Sequence, residues 1–457
     1  MQRGDKRPQM TGQLELALEP RGEVPTARRS GEASSRTHAP RPLGTKDLME
    51  TVLSRPNLLQ ALKRVRQNKG SAGVDGMQVN ELPAYLKTEW PRIAAELRAG
   101  SYVPKPVRRH EIPKGNGEMR MLGIPTALDR FIQQAVLQVL QPLFDPEFSN
   151  SSYGFRPGRS ALQAIAAARR LVEDGRTWVV DVDLEKFFDR VNHDVLMGKL
   201  EARIADRRLH RLIRSYLAAG VMADGVVTER HEGTPQGGPL SPLLANVLLD
   251  EVDKELENRG HRFVRYADDC NVYVRSKRAA ERLLEALRGL YGKLRLRINE
   301  SKSAAAEVWE RKFLGYAFTR DRRGAVRLTA AERSKQKLKE KVREITRRTG
   351  GRSLEQVTEQ LRPLINGWKQ YFRLVDSGRV FDSLDSWIRR RLRALMLKHW
   401  RTPTRAYRAL QEMGARTLSS LSIAKHAGRW WRTSGQLMST AVPNRFFDER
   451  GLPRLVA

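Results

Sequence analysis

The stretch from Phe263 to Val274, F-V-R-Y-A-D-D-C-N-V-Y-V, leaves the backbone few options. Runs of β-branched and aromatic residues flank Tyr266-Ala267-Asp268-Asp269, and Asp tolerates the backbone angles of a tight turn. A β-hairpin with two adjacent carboxylates at its tip is therefore predicted. Taken alone, such a pair is equally well explained as solvated turn chemistry. A second carboxylate-bearing run shifts that balance. Trp178 to Leu184, W-V-V-D-V-D-L, has period-two alternation that sets Asp181 and Asp183 on one face and Val180, Val182 and Leu184 on the other. Carboxylates converging from two strands suit hard divalent cations such as Mg²⁺. Two such ions clamp the attacking and leaving oxygens of a phosphoryl transfer.

At 457 residues the chain is long enough for two or three domains. Lys and Arg number 84 against 52 Asp and Glu, a formal charge of +32 spread along the whole chain, so a polyanion is the natural partner. The sequence has no long uncharged apolar run and no signal-peptide core. The expectation is no membrane partner and a cytoplasmic location, nucleoid-associated when on DNA. A single cysteine, Cys270, excludes disulfides and Cys-based zinc sites and reads as a small buried strand residue.

Residues 1–45, rich in Arg, Pro, Gly and Ser without a sustained period, read as a disordered basic arm. Helical spacing begins near Lys46 and is interrupted by K-G-S-A-G-V-D-G at 69–76, which reads as a plain loop. Two alternating stretches within 102–126 read as a hairpin carrying Lys114 and Arg120, cations that suit a triphosphate or a solvated basic face equally. A core helix is predicted over Leu128–Leu143. The loop Ser152–Ser160, with Arg156 and Arg159, suits nucleic-acid phosphates and base stacking. Phe187-Phe188-Asp189 reads as a helix entry, close enough to Asp183 for Phe188 to line a nucleotide pocket.

The breaker-rich loop Gly233–Pro242 holds Gln236, which offers both donor and acceptor, and leads into an apolar helix at Leu243–Leu249. A basic helix over Arg278–Leu294 precedes N-E-S-K-S, which contains Lys302, and Phe313–Phe318 reads as one short strand. Composition shifts near 330 into basic helices rich in Trp and Arg. The aromatics there read as packing, and the Arg stripe 389–393, with Arg389, Arg390 and Arg391, as an RNA-facing surface. Residues 401–457 read as a short basic tail.

In order along the chain stand K-G-S-A-G-V-D-G, I-P-K-x-N-G-x-x-R-x-L-G-I-P-T, S-Y-G-F-R-P-G-R-S, D-L-E-K-F-F-D, G-T-P-Q-G-G-P-L-S-P-L-L-A-N, Y-A-D-D, N-E-S-K-S and F-L-G-Y. Together these resemble group II intron-encoded reverse transcriptases with maturase activity. L-R-P-L-I-N-G-W-K-Q-Y-F at 361–372 resembles that family's maturase, or thumb, domain.

The resemblance implies an α+β right-hand polymerase. Fingers and a palm with an antiparallel sheet would fill 46–320, an α-helical thumb or maturase domain 330–400, and a DNA-binding-like tail 401–457. It implies that Asp183, Asp268 and Asp269 hold two Mg²⁺ ions, with Mn²⁺ able to substitute. By the same resemblance Lys114 and Arg120 contact the incoming triphosphate, Phe188 discriminates against ribose, and Gln236 lines the nucleotide pocket. Asp181 is a reserve ligand because it shares the face of Asp183. The implied partners are an intron RNA template, a DNA primer or target, and dNTPs; the oligomeric state is left open. Many members carry a C-terminal H-N-H endonuclease with cysteine pairs. Here the last residues hold no Cys and only His426, so no endonuclease is expected. The competing expectations are a splicing-only maturase and a reverse transcriptase recruited to a host task such as phage defence.

Overall fold

The structure is a computed structural model that describes residues 47–113, 119–223, 226–228, 232–234 and 237–456, without the side chains of Arg120 and Ala223. Apolar residues at helical spacing build α1 (Leu48–Val52), α2 (Arg55–Gln67) and α3 (Leu82–Ala99). Strands β1 (Val107–Pro113) and β2 (Met119–Ile124) pair antiparallel, as their alternation predicts. Helix α4 (Ala127–Phe144) extends the expected helix by one residue at each end and is capped by Thr126, whose hydroxyl accepts from Asp129 N. A capping box of Ser160 and Gln163 opens α5 (Ala161–Glu173).

After β3 (Trp178–Val182) come α6 (His193–Glu201) and α7 (Arg207–Ala218), then β4 (Val221–Ala223) and β5 (Val226–Thr228). Strand β4 lies parallel to β1, so a small sheet of order β2-β1-β4-β5 forms on the N-terminal side. Next are α8 (Ser241–Asn258), β6 (Arg262–Tyr266), β7 (Asp269–Val274), α9 (Lys277–Lys293) and β8 (Ala304–Glu307).

The central sheet is antiparallel, of order β6-β7-β3-β8. Its two faces feed different cores because side chains alternate along each strand. Val180, Val182, Phe263, Cys270 and Val272 join the large core shared with α4, α8 and α9. Val179, Val264 and Tyr273 join a second core with Leu162 and Ile165 of α5. That core continues into β9 (Lys312–Phe313), β10 (Tyr316–Arg320) and β11 (Val326–Ala330), which form a separate sheet. The single strand expected over Phe313–Phe318 is thus two strands. Leu314 and Gly315 take left-handed φ values of 49° and 80° and turn the chain between them.

Helices α10 (Glu332–Ile345), α11 (Leu354–Tyr371) and α12 (Gly378–Trp400) follow. Their core contains Leu361, Ile388 and Leu392. Residues read from sequence as a basic tail enter the same core through Leu410, Ile423, Met438, Phe447 and Leu455. Charge density drew attention away from the apolar residues spaced between the arginines. Tyr316 donates its hydroxyl to the carbonyl of Tyr371 at 2.5 Å, and Tyr371 returns one to Leu314 at 2.8 Å, tying α11 to the β9–β11 sheet. Among the described residues no helix is long and apolar enough to cross a membrane.

Candidate active site

Strand register brings the acidic residues together. Tyr266 pairs with Asp269 across the β6–β7 turn, and Asp181 and Val182 of β3 pair with Asn271 and Cys270 of β7. Asp183 directly follows Val182, the last β3 residue paired with β7, as Asp269 directly precedes its partner Cys270, and the charge of Asp183 reaches Asp269. Residues 181, 183, 269 and 271 therefore share one sheet face, at the end where β6 turns into β7. Asp269 is exposed, yet protein surrounds it on several sides. Its carboxyl is pushed up to about 7, first by desolvation and then by the charges of Asp268, Asp181 and Asp183.

The backbone of Asp183 is pinned from the N-E-S-K-S stretch. Its N–H donates to Ser303 Oγ at 2.9 Å, and its carbonyl accepts from Ser303 Oγ at 3.2 Å and Asn299 N at 2.8 Å. Asp181, the reserve ligand, is engaged elsewhere: Arg311 approaches it at 2.7 Å. Among the described residues no three His, Cys, Asp or Glu side chains form a ready-made metal cage. The clustered acids offer carboxylate oxygens, which fits Mg²⁺, an ion that keeps several waters and shares its ligands with substrate phosphate.

Phe188 is half-buried, its ring set edge-on against Phe187 at 5.1 Å, and its carbonyl accepts from Thr234 N at 2.7 Å. The expected helix entry there is a short 3₁₀ turn, Phe187–Asp189. Lys114 and Gln236 lie outside the described residues. The backbone of Arg120 pairs with Ile112 in the β1–β2 hairpin, and its side chain is outside the description.

Two of the arginines expected to face RNA are structural. Arg156 has a side-chain exposure of 3% and donates to Asp145 Oδ1 at 2.9 Å and to the carbonyls of Asp145, Ser149 and Ser152. Arg389, at 1%, is held by Asp385 at 2.9 Å and Asp448 at 2.7 Å. Each packs inward onto acids, half-buried Asp145 for Arg156 and Asp385 with Asp448 for Arg389, partners that linear spacing does not reveal. Arg390 and Arg391 are half-buried against Trp431 and Trp387 respectively. Arg159 is half-buried over Tyr153, and Lys302 is exposed.

Sequence reasoning passed over Arg265, Asp253, Asn246 and Gly154, which meet behind the Tyr266–Asp269 turn. A legible signal existed: by period-two alternation Arg265 shares the face of Phe263, in a run otherwise apolar from Phe263 to Ala267.

Comparison with known proteins agrees with this architecture. Residues 112–318 match the family described as reverse transcriptase (RNA-dependent DNA polymerase), and residues 335–414 match the group II intron, maturase-specific domain. Protein YkfC of Escherichia coli (strain K12) is 35% identical over 307 residues, covering 58% of this chain and 81% of YkfC. The chain belongs to the group II intron reverse transcriptase and maturase family. Within that family, the group II intron-encoded protein LtrA of Lactococcus lactis subsp. cremoris is 38% identical over 204 residues. That match takes in 44% of this chain and 34% of LtrA. Among solved structures, a chain of a partial Cas6-RT-Cas1–Cas2 complex is 26% identical over 54% of this chain and 42% of that one. Its TM-score of 0.36 is too low to bear on shape. The family is one of RNA-directed DNA polymerases that use divalent metal ions and have nucleic-acid partners.

Proposed function

We propose that this reverse transcriptase extends a DNA primer on an RNA template at Asp183, Asp268 and Asp269, and that it binds its intron RNA to assist splicing and mobility. The observation that supports this reading is the β3–β7 register, whose last pair, Val182 with Cys270, leaves Asp183 and Asp269 next along the two strands, 86 residues apart in sequence (269 − 183 = 86). In the proposed reaction a primer 3′-hydroxyl attacks the α-phosphate of a dNTP and pyrophosphate leaves. Two Mg²⁺ ions held by the three aspartates, or Mn²⁺ in their place, would supply Lewis acidity and charge neutralisation there.

The chain's own groups position and neutralise. Ser303 and Asn299 fix the end of β3, so Asp183 keeps its orientation. Arg311 neutralises Asp181 of β3 and leaves Asp183, just past the end of that strand, as the acid directed at substrate. Lys114 and Arg120 are assigned the triphosphate, Phe188 the sugar and Gln236 the nucleotide pocket. Of the six residues expected to face RNA, Arg159, Arg390, Arg391 and Lys302 keep that assignment, in a chain of net charge +32 whose proposed location is the cytoplasm, on the nucleoid when bound to DNA.

Asp268→Ala tests the assignment. The purified variant is expected to lose primer extension with Mg²⁺ on an RNA template by about a hundred- to a thousandfold, the scale of one electrostatic group at a reacting centre, and to keep its affinity for intron RNA. Full extension by the variant sinks the assignment. A parent protein that binds intron RNA but extends nothing points instead to a splicing-only maturase.

A further inference from the structure

Arg265 lies on the sheet face opposite the carboxylates, since it pairs with Cys270 while Asp269 pairs with Tyr266. Its side chain, 1% exposed, divides its donors between two structures. Nε and Nη2 reach Asp253 of α8 at 2.8 and 2.5 Å. Nη1 reaches Asn246 Oδ1 of α8 and the carbonyl of Ala267 in the turn, both at 2.9 Å. Ala267 has φ 58°, a left-handed conformation that a residue with a Cβ keeps only when its surroundings impose it.

The opposite side of the turn is closed as tightly. A Cβ on Gly154 would stand 2.1 Å from Ala267 N, and Asn246 Nδ2 donates to the Gly154 carbonyl at 2.9 Å. The Arg265 backbone completes the clamp, donating to Ser151 O and accepting from Tyr153 N, each at 2.9 Å. Three sequence motifs, S-Y-G-F-R, P-L-L-A-N and Y-A-D-D, thus meet around Arg265, the first through its backbone and the other two through its guanidinium.

We propose that Arg265 is a positioning residue for polymerisation, fixing from behind the turn that presents Asp268 and Asp269 toward Asp183. The proposal rests on the function assigned above. A buried ion pair kept for stability alone is replaceable by apolar residues of similar volume. What only arginine supplies is a planar fork that reaches Asp253, Asn246 and Ala267 together.

The test uses the full chain and two variants, the double replacement Arg265→Met with Asp253→Leu and the single Arg265→Lys. Mn²⁺, the spectroscopic probe, is titrated by electron paramagnetic resonance, and kcat and KM are measured on an RNA template with a DNA primer. The double variant is expected to unfold near the parent's temperature, bind Mn²⁺ about tenfold more weakly and lose about 10- to 100-fold in kcat, with KM for template-primer nearly unchanged. Arg265→Lys keeps the charge against Asp253 without the fork and is expected to show the same pattern; it carries the test if the double variant does not fold. A folded variant with parental Mn²⁺ affinity and kcat overturns the positioning role. Weakened Mn²⁺ binding in the variants, with a parent that never extends a primer, keeps that role and overturns the polymerase assignment.

Discussion

Arg311 grips Asp181 beside the carboxylate cluster, Nη2 at 2.7 Å and Nε at 2.9 Å from Oδ2, while the same guanidinium donates to the Lys302 carbonyl. Two aspartates that share one face of β3 are therefore separated in role by their partners. Asp181→Asn is expected to keep primer extension within about tenfold of the parent, while Asp183→Asn loses about a hundred- to a thousandfold. Equal loss in the two variants, measured side by side on one template, makes Asp181 a ligand in its own right.

Gly154 has backbone on the side where any other residue would place Cβ, 2.1 Å from Ala267 N and 2.9 Å from Tyr266 C. Because backbone cannot swing aside as a side chain can, Gly154→Ala is expected to cost about 2 kcal/mol or more and to depress extension beyond the loss of folded protein. Gly198 of α6 has nothing within 4 Å of its would-be Cβ, so Gly198→Ala should stabilise by roughly 0.5 kcal/mol. Urea unfolding of both variants decides; a silent Gly154→Ala contradicts the packing of the turn.

Burial separates the arginines into two groups. Arg389→Ala leaves buried Asp385 without its cation and takes one of two from Asp448, and is expected to cost about 3 kcal/mol, with RNA affinity following the folded fraction. Exposed Lys302→Ala should leave the melting temperature within about 1 °C and weaken RNA binding modestly. Thermal unfolding paired with filter binding checks both, and a stable Arg389→Ala protein with lost RNA affinity reverses the assignment.

Cys270 is 0% exposed, and burial first, then the charge of Asp253, pushes its thiol up to about 12. Thiolate is the reactive form, so the fraction available at pH 8 is minute and rises only as pH climbs toward that value. Iodoacetamide at pH 8 is expected to leave the native chain unmodified over an hour and to label it fully in urea. Complete labelling of folded protein within minutes, read by intact mass, excludes this environment.

With a net charge of +32, affinity for RNA should fall at least about a thousandfold between roughly 50 and 200 mM monovalent salt, as expected for about six or more phosphate contacts. A flat titration argues that recognition is not led by phosphate.

Much of the central sheet was readable because its signals are local. The β6–β7 turn, β3 and the α4 and α9 helices lie close to where alternation and helical spacing put them. Readings failed where a side chain's fate depends on a distant partner. Arg156 and Arg389 look like any cation in a basic stretch until Asp145 and Asp448 are found beside them. The segment 401–457 looks like a basic tail until Phe447 and Leu455 reach the core of α11 and α12. Phe313–Phe318 reads as one strand because its turn uses Leu314 ahead of Gly315 at left-handed φ, a choice that local propensity disfavours.

From the order of residues alone came two strands rich in β-branched side chains, each bringing acids to its end, and a surplus of positive charge suited to a polyanion. Period-two geometry and net charge are properties of the chain itself. Which acid is neutralised and which is left for substrate, and what holds a left-handed alanine in the turn, were decided only when β3, β7 and α8 came together. Those outcomes depend on contacts between residues far apart in sequence, from Asp181 to Arg311 and from Gly154 to Ala267, and register sets such contacts only in the folded sheet.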